Sequence, residues 1–218
     1  MSFYPNTEGP HKELEELIRS ECKKYDIQLL TVPQYYYLDE KEVKDYKNIF
    51  TNESLLLRSA ADLFLVGKKY TLLLDLKTTH KKGTGNISIE LSSFYWALQH
   101  SRDSVEFYYC CNHKNDIIIF SPRENAPDNI YIQPLWEEYP EIKKLYYKYA
   151  EAIQHYFKRK LITIYNKETE GSQDPFILKN YSDLQKTPFK TYLENQRQKL
   201  LYDFTPVRVP FMEAPPND

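Results

Sequence analysis

Glycine is scarce in this 218-residue chain: there are 5, and none belongs to a G-x-x-x-x-G-K-[ST] loop. That disfavours nucleoside-triphosphate hydrolysis, whose phosphates need such a cradle. Cysteine is scarcer still. Three residues, of which Cys110 and Cys111 are adjacent, cannot close a disulfide framework, and an odd, sparse set fits a reducing, intracellular setting. There is no HExxH and no paired CxxC, which disfavours a zinc site. No apolar run reaches the roughly eighteen residues that a membrane span requires. The opening MSFYPNTEGPHKELEEL has no basic flank followed by an apolar stretch, so it does not read as a secretory signal. An excess of one charge is missing too. With 29 basic and 31 acidic residues the net charge is −2, so there is no global positive field and any nucleic-acid contact must rest on local patches.

What the chain does have is tyrosine, 20 residues, within a composition that is 41% hydrophobic and 28% charged. Such a chain can bury a core and is not globally disordered. Residues 1–10 read as a lead-in. From His11 to Lys24, Leu14, Leu17, Ile18 and Cys22 recur at helical spacing, with charged residues opposite. Residues 27–38 look extended, with Pro33 at an edge or bend. Two strand-like runs, 55–66 and 70–77, flank Gly67-Lys68-Lys69 as in a hairpin. A third strand is expected over 86–90, a helix over 91–101, and strands over 104–111 and 116–120. A long helix follows over roughly 135–160, with Leu145, Tyr149, Ile153 and Tyr156 on one face. Residues 166–188 read as loop, 189–203 as a last helix, and the end, with its four prolines, as an extended tail. The expected architecture is α/β: a mixed central sheet flanked by helices over 11–125, a C-terminal helical extension over 126–204, and a tail over 205–218.

Two carboxylates carry the chemistry. Asp62 interrupts one apolar strand and Asp75 the next, and Lys77, two residues on, leaves the same face of its strand as Asp75. Burying carboxylates among apolar residues is costly unless they are paired. A lysine and a hard divalent cation, Mg²⁺ or Mn²⁺, would pair them, and such a cation can deliver a water as nucleophile. The bland alternative is a surface salt-bridge set on an edge hairpin.

Asp62, twelve residues, then Asp75-Leu76-Lys77 resembles the PD-(D/E)XK nuclease motif, with Ala61 where that motif has proline. Glu90 followed by Phe94 and Tyr95 resembles the Q-x-x-x-Y element of the RecB-like exonuclease branch, with glutamate in place of glutamine. The expected order of helix, three strands, helix, strand over 11–111 is that superfamily's order. The resemblance implies a restriction-endonuclease-like core and metal-dependent hydrolysis of phosphodiesters. It also implies metal binding by Asp62 and Asp75, a catalytic Lys77, and Glu90 as an auxiliary ligand. DNA is favoured over RNA as substrate. The first helix often adds an acidic residue, for which Glu13 and Glu16 are candidates. The iron–sulfur cysteines of some RecB-like relatives are absent, since Cys22, Cys110 and Cys111 lack the number and spacing.

Several residues stand around this centre. Ser59 precedes Asp62 on its strand, and Thr78, His80, Lys81 and Lys82 follow Lys77 in a polar loop suited to phosphate contacts. Tyr95 is a further substrate-binding candidate. Tyr35–Tyr37, Tyr108-Tyr109 and Tyr146-Tyr147 suit base stacking or half-buried packing equally, with packing favoured. The basic residues Lys143, Lys144, Lys148, Lys158, Arg159 and Lys160 of the long helix are, as a run, most simply a solvated face. No membrane partner is expected, and the pI of about 6.2 points to a protein partner or oligomer supplying part of a binding surface.

Overall fold

The first helix sets one wall of the fold. In the computed structural model, which describes residues 8–31, 61–66, 71–78, 85–101, 105–113, 116–133, 140–165 and 175–200, helix α1 spans Glu8–Lys24. It starts three residues earlier than its apolar period suggests, because Pro10 falls in the first turn, where a missing N–H costs nothing. Leu14, Ile18 and Cys22 are buried, while Leu17, expected beside them, is 44% exposed. The helix ends on Asp26 in the left-handed region (φ 57°), with the Asp26 amide bonded to Lys23 O and the Ile27 amide to Cys22 O, a Schellman closure.

Six strands form the first sheet, in the order β1-β2-β3-β5-β6-β10. They are β1 (Gln28–Thr31), β2 (Leu63–Val66), β3 (Thr71–Thr78), β5 (Val105–His113), β6 (Asp116–Phe120) and β10 (Thr187–Pro188). All pairs are antiparallel except β3 with β5. The parallel pair needs a crossover, supplied by β4 (Asn86–Glu90) and helix α2 (Leu91–His100). Strands β2 and β3 pair as the expected hairpin. However, β2 begins at Leu63, so Asp62 sits in a bend just ahead of the strand rather than interrupting it.

The architecture is mixed α/β, as expected, but with two mixed sheets instead of one. β4 does not join the first sheet. It pairs with β9 (Phe176–Asn180) in a four-stranded sheet ordered β4-β9-β7-β8, together with β7 (Asn129–Ile132) and β8 (Ile162–Tyr165). The stretch 126–204 is therefore not a helical extension. It contributes β7 to β10 beside the helices α3 (Pro140–Phe157) and α4 (Phe189–Leu200), and the expected loop over 166–188 holds β9, a 3₁₀ turn (Tyr181–Asp183) and β10. On α3, Tyr149 and Ile153 are buried as expected, but Tyr156 is 43% exposed and Phe157 reaches the core instead, against Phe94.

Two cores lie on opposite faces of the six-stranded sheet. Beneath it, α1 and α4 pack Leu14, Ile18, Phe189 and Leu193 on Leu72, Leu74, Leu76 and Cys110. Above it, α2, α3 and the second sheet enclose Leu73, Phe94, Phe107, Tyr109, Ile130 and Ile153. That upper cluster runs from Ala61 to Leu184, so the expected boundary near residue 125 cuts through one continuous core. All three cysteines are buried and free. No helix among the described residues is long and apolar enough to cross a membrane.

Candidate active site

The alternation of β3 divides its side chains between the two cores. Leu72, Leu74 and Leu76 point to the lower one, and Leu73, Asp75 and Lys77 to the upper one. Asp75 is 6% exposed. Asp62 meets it from the hairpin. The Asp62 amide donates to Leu74 O, opposite Leu63, at 2.8 Å, and Asp62 Oδ2 accepts the Leu76 amide at 2.7 Å. The backbone of β3 thus fixes both ends of the Asp62 residue.

Lys77 closes the arrangement. Its Nζ lies 3.1 Å from Asp75 Oδ1 and 2.8 Å from Glu90 Oε2, and 5.8 Å from the centroid of the Tyr109 ring. Glu90 stands at the N-cap position of α2 but makes no capping hydrogen bond with its side chain, which pairs with Lys77. The four residues Asp62, Asp75, Lys77 and Glu90 are therefore brought together from three elements.

Burial dominates the electrostatics. It pushes the Asp75 carboxyl up to about 7, with Lys77 opposing and Asp62 and Glu90 adding to the rise. Burial also raises Asp62, against the Leu76 amide, Lys77 and the neighbouring Asp75 carboxyl, while Glu90 adds to the rise. For Lys77, burial disfavours the ammonium, but Asp75 and Glu90 outweigh it and hold the group well above its ordinary value. A half-buried and a buried carboxylate raised in this way leave an imbalance of negative charge that a proton or a cation would offset.

The fit to a divalent metal follows from that imbalance. Asp62 and Asp75 present hard oxygen donors to one space, as Mg²⁺ or Mn²⁺ requires. Among the described residues no group of three His, Cys, Asp or Glu converges in metal-holding geometry; Glu90 is turned to Lys77. The pair fits a cation that keeps most of its waters.

Three further residues act on this centre: Ser93 and His11, which the sequence did not single out, and Tyr109, expected there only as a stacking or packing aromatic. Ser93, in the first turn of α2, donates from Oγ to Asp75 Oδ2 at 2.8 Å and lies 3.1 Å from the Tyr109 hydroxyl. Burial pushes that tyrosine well above its ordinary value, with Asp75 adding to the rise. His11, on α1, feels both Asp75 and Glu15, but burial, helped by Lys77, outweighs them and lowers its pKa. Its signal in the sequence is its place on the stripe His11, Leu14, Ile18, Cys22 of α1. Of the first-helix acids, Glu13 and Glu16 are exposed, and the half-buried ones are Glu15, bonded to Arg19 at 2.9 Å, and Glu21, paired with Lys24.

The expected substrate contacts fare differently. Ser59, His80, Lys81 and Lys82 lie outside the described residues, as do Tyr35–Tyr37. Thr78 ends β3. Tyr95 faces away from the carboxylates, its ring stacked on Tyr149 of α3 at 4.4 Å. Tyr109 and Tyr146 are buried, and Tyr108 packs on Tyr192. Among the basic residues of α3 and its end, Arg159 is ion-paired with Asp128, and Lys143 lies over Tyr147. Neither a protein-family model nor a curated protein matches this sequence.

Proposed function

We propose that this chain is a divalent-metal-dependent nuclease of the PD-(D/E)XK kind, hydrolysing phosphodiester bonds on a restriction-endonuclease-like core. The observation that carries the reading is the convergence of Asp62, Asp75 and Lys77 at the head of one hairpin, with two carboxylates side by side and a lysine on the same strand face. The element order supports it: helix, hairpin, crossover helix, then a strand parallel to the one that bears Asp75.

Asp62 and Asp75 would hold Mg²⁺ or Mn²⁺, and the ion, when bound, supplies a water of lowered pKa and positive charge for the phosphate. Lys77, kept protonated by Asp75 and Glu90, orients the attacking water and offsets charge developing on the phosphate oxygens. Glu90 holds the Lys77 ammonium in place and would serve as an auxiliary ligand or orient the water. DNA is the substrate favoured by the resemblance, with RNA the alternative.

The test is cleavage of single- and double-stranded DNA and of RNA with Mn²⁺, Mg²⁺ or EDTA, wild type beside Lys77→Ala. Metal-dependent cleavage that disappears in the variant is the expected result. One observation favours a second reading, a non-catalytic nucleic-acid- or protein-binding module on the same fold: Lys77 is already neutralised by Asp75 and Glu90. A folded wild type that neither cleaves nor binds Mn²⁺ would sink the first reading, and nucleic-acid affinity in EDTA would then support the second.

A further inference from the structure

Asp75 is the residue on which the nuclease reading turns, and each of its oxygens has a partner: Oδ1 faces Lys77 and Oδ2 accepts from Ser93. The Ser93 hydroxyl has one proton, and at 2.8 Å it is committed to Asp75. The 3.1 Å contact between Ser93 Oγ and the Tyr109 hydroxyl then runs in one direction only, with Tyr109 donating to Ser93. A relay results, from Tyr109 to Ser93 to Asp75.

Its placement comes from the topology. Tyr109 is the register partner of Asp75 on the neighbouring parallel strand, so both side chains leave the same face of the sheet one strand apart. Ser93 descends on them from the buried first turn of α2. Tyr109 is fully buried among phenylalanines: Phe94 parallel at 6.4 Å, Phe107 edge-on at 5.3 Å and Phe120 at 5.4 Å. A fourth phenylalanine would fill that volume equally well and would leave no hydroxyl to desolvate. What the tyrosine adds is one oxygen, and that oxygen meets Ser93.

We propose that Tyr109 and Ser93 are positioning residues that hold the Asp75 carboxylate in its metal-binding orientation, with Tyr109 acting through Ser93. The proposal rests on the nuclease reading. Outer partners of metal-binding carboxylates fix the rotamer before the metal arrives, and removing one typically weakens metal affinity or activity by about 10–100-fold.

The experiment measures Mn²⁺ affinity by calorimetry and the Mn²⁺ concentration for half-maximal DNA cleavage. Wild type, Ser93→Ala, Ser93→Thr, Tyr109→Phe and the double variant Ser93→Ala/Tyr109→Phe are compared, with thermal unfolding recorded for each. Ser93→Ala is expected to weaken Mn²⁺ about tenfold and Ser93→Thr, which keeps the hydroxyl, to recover most of that loss. Tyr109→Phe weakens it less, and the double variant is no worse than Ser93→Ala alone, because Tyr109 has no other route to the metal. Additive losses, or unchanged Mn²⁺ affinity in a folded Ser93→Ala, would overturn the proposal and leave the nuclease reading standing. A wild type that neither binds Mn²⁺ nor cleaves overturns both. Should Ser93→Ala fail to fold, Tyr109→Phe, which loses a single oxygen, decides the matter by the same Mn²⁺ readouts.

Discussion

The two faces of β3 are built from one eight-residue strand, TLLLDLKT, and do opposite things. The lower face, Leu72, Leu74 and Leu76, is apolar along its length and meets the apolar stripe of α1 and the buried side of α4. The upper face starts apolar at Leu73 and ends in Asp75, buried, and Lys77, half-buried, which Ser93 and Glu90 partner in turn. The lower face stabilises the fold without specifying any chemistry. The upper face concentrates chemistry at a cost in stability, since a buried, imperfectly balanced charge is unfavourable. Substitutions on the two faces are therefore expected to separate stability from activity.

The largest separation is expected at the end of the upper face. Lys77→Ala should lower metal-dependent cleavage by about 10³-fold, while equilibrium urea unfolding shows the protein still folded. An activity loss matched by unfolding would erase the distinction between the faces. On the lower face, Leu74→Ala should cost about 2–5 kcal/mol of stability, read as a shifted urea midpoint with an unchanged slope. The fraction that remains folded should cleave at the wild-type rate per molecule.

A third prediction sharpens the cost assigned to the upper face. Burial raises the Asp75 carboxyl from its ordinary 3.8 to about 7, so the metal-free folded state binds a proton that the unfolded chain releases above about pH 4. This group's contribution to stability is present in full below the unfolded value and is lost as pH rises through 7. In EDTA, wild-type stability relative to Asp75→Asn should therefore fall between pH 4 and 7, and the variant should be the more stable at pH 8 yet inactive. An identical pH dependence for the two proteins would mean that Asp75 is not desolvated as described. The smallest effect is expected outside both faces. Leu17 lies 44% exposed on the outer side of α1, and Leu17→Gln should change the unfolding midpoint by no more than about 0.5 kcal/mol equivalent, in contrast to Leu74→Ala.

The legible part of the molecule was its local part. The β2–β3 hairpin, α2, and the β5–β6 pair follow from runs of apolar residues broken by Gly67-Lys68-Lys69 and by Asn112-His113-Lys114-Asn115, because the turn residues and the pattern they separate are neighbours in the chain. The second sheet was not legible. Its strands NIYI, ITIY and FILKN are four or five residues each, too short for periodicity to tell strand from loop, and nothing local says that Asn86 pairs with Asn180. The same limit governs the candidate site. Asp62, Asp75, Lys77 and Glu90 stand out because a charge in an apolar run is conspicuous. Ser93 does not, and Tyr109 stands out only as a stacking or packing aromatic, until the parallel register of β3 and β5 places them beside Asp75.

The pairing of β4 with β9 also bears on the order in which the protein is made. Asp62, Asp75 and Lys77 lie within sixteen residues of one another in the chain and are set by a hairpin, which closes within microseconds. Glu90 is different. Its strand is registered against Phe176, and the next residue, Leu91, donates its amide to Pro175 O at 2.7 Å. Closing a contact across that separation waits on loop entropy and on synthesis of the distal segment. The Lys77–Glu90 ion pair, although its partners are close in the chain, therefore ties the hairpin to a strand whose register partner, Phe176, belongs to the distal part of the chain.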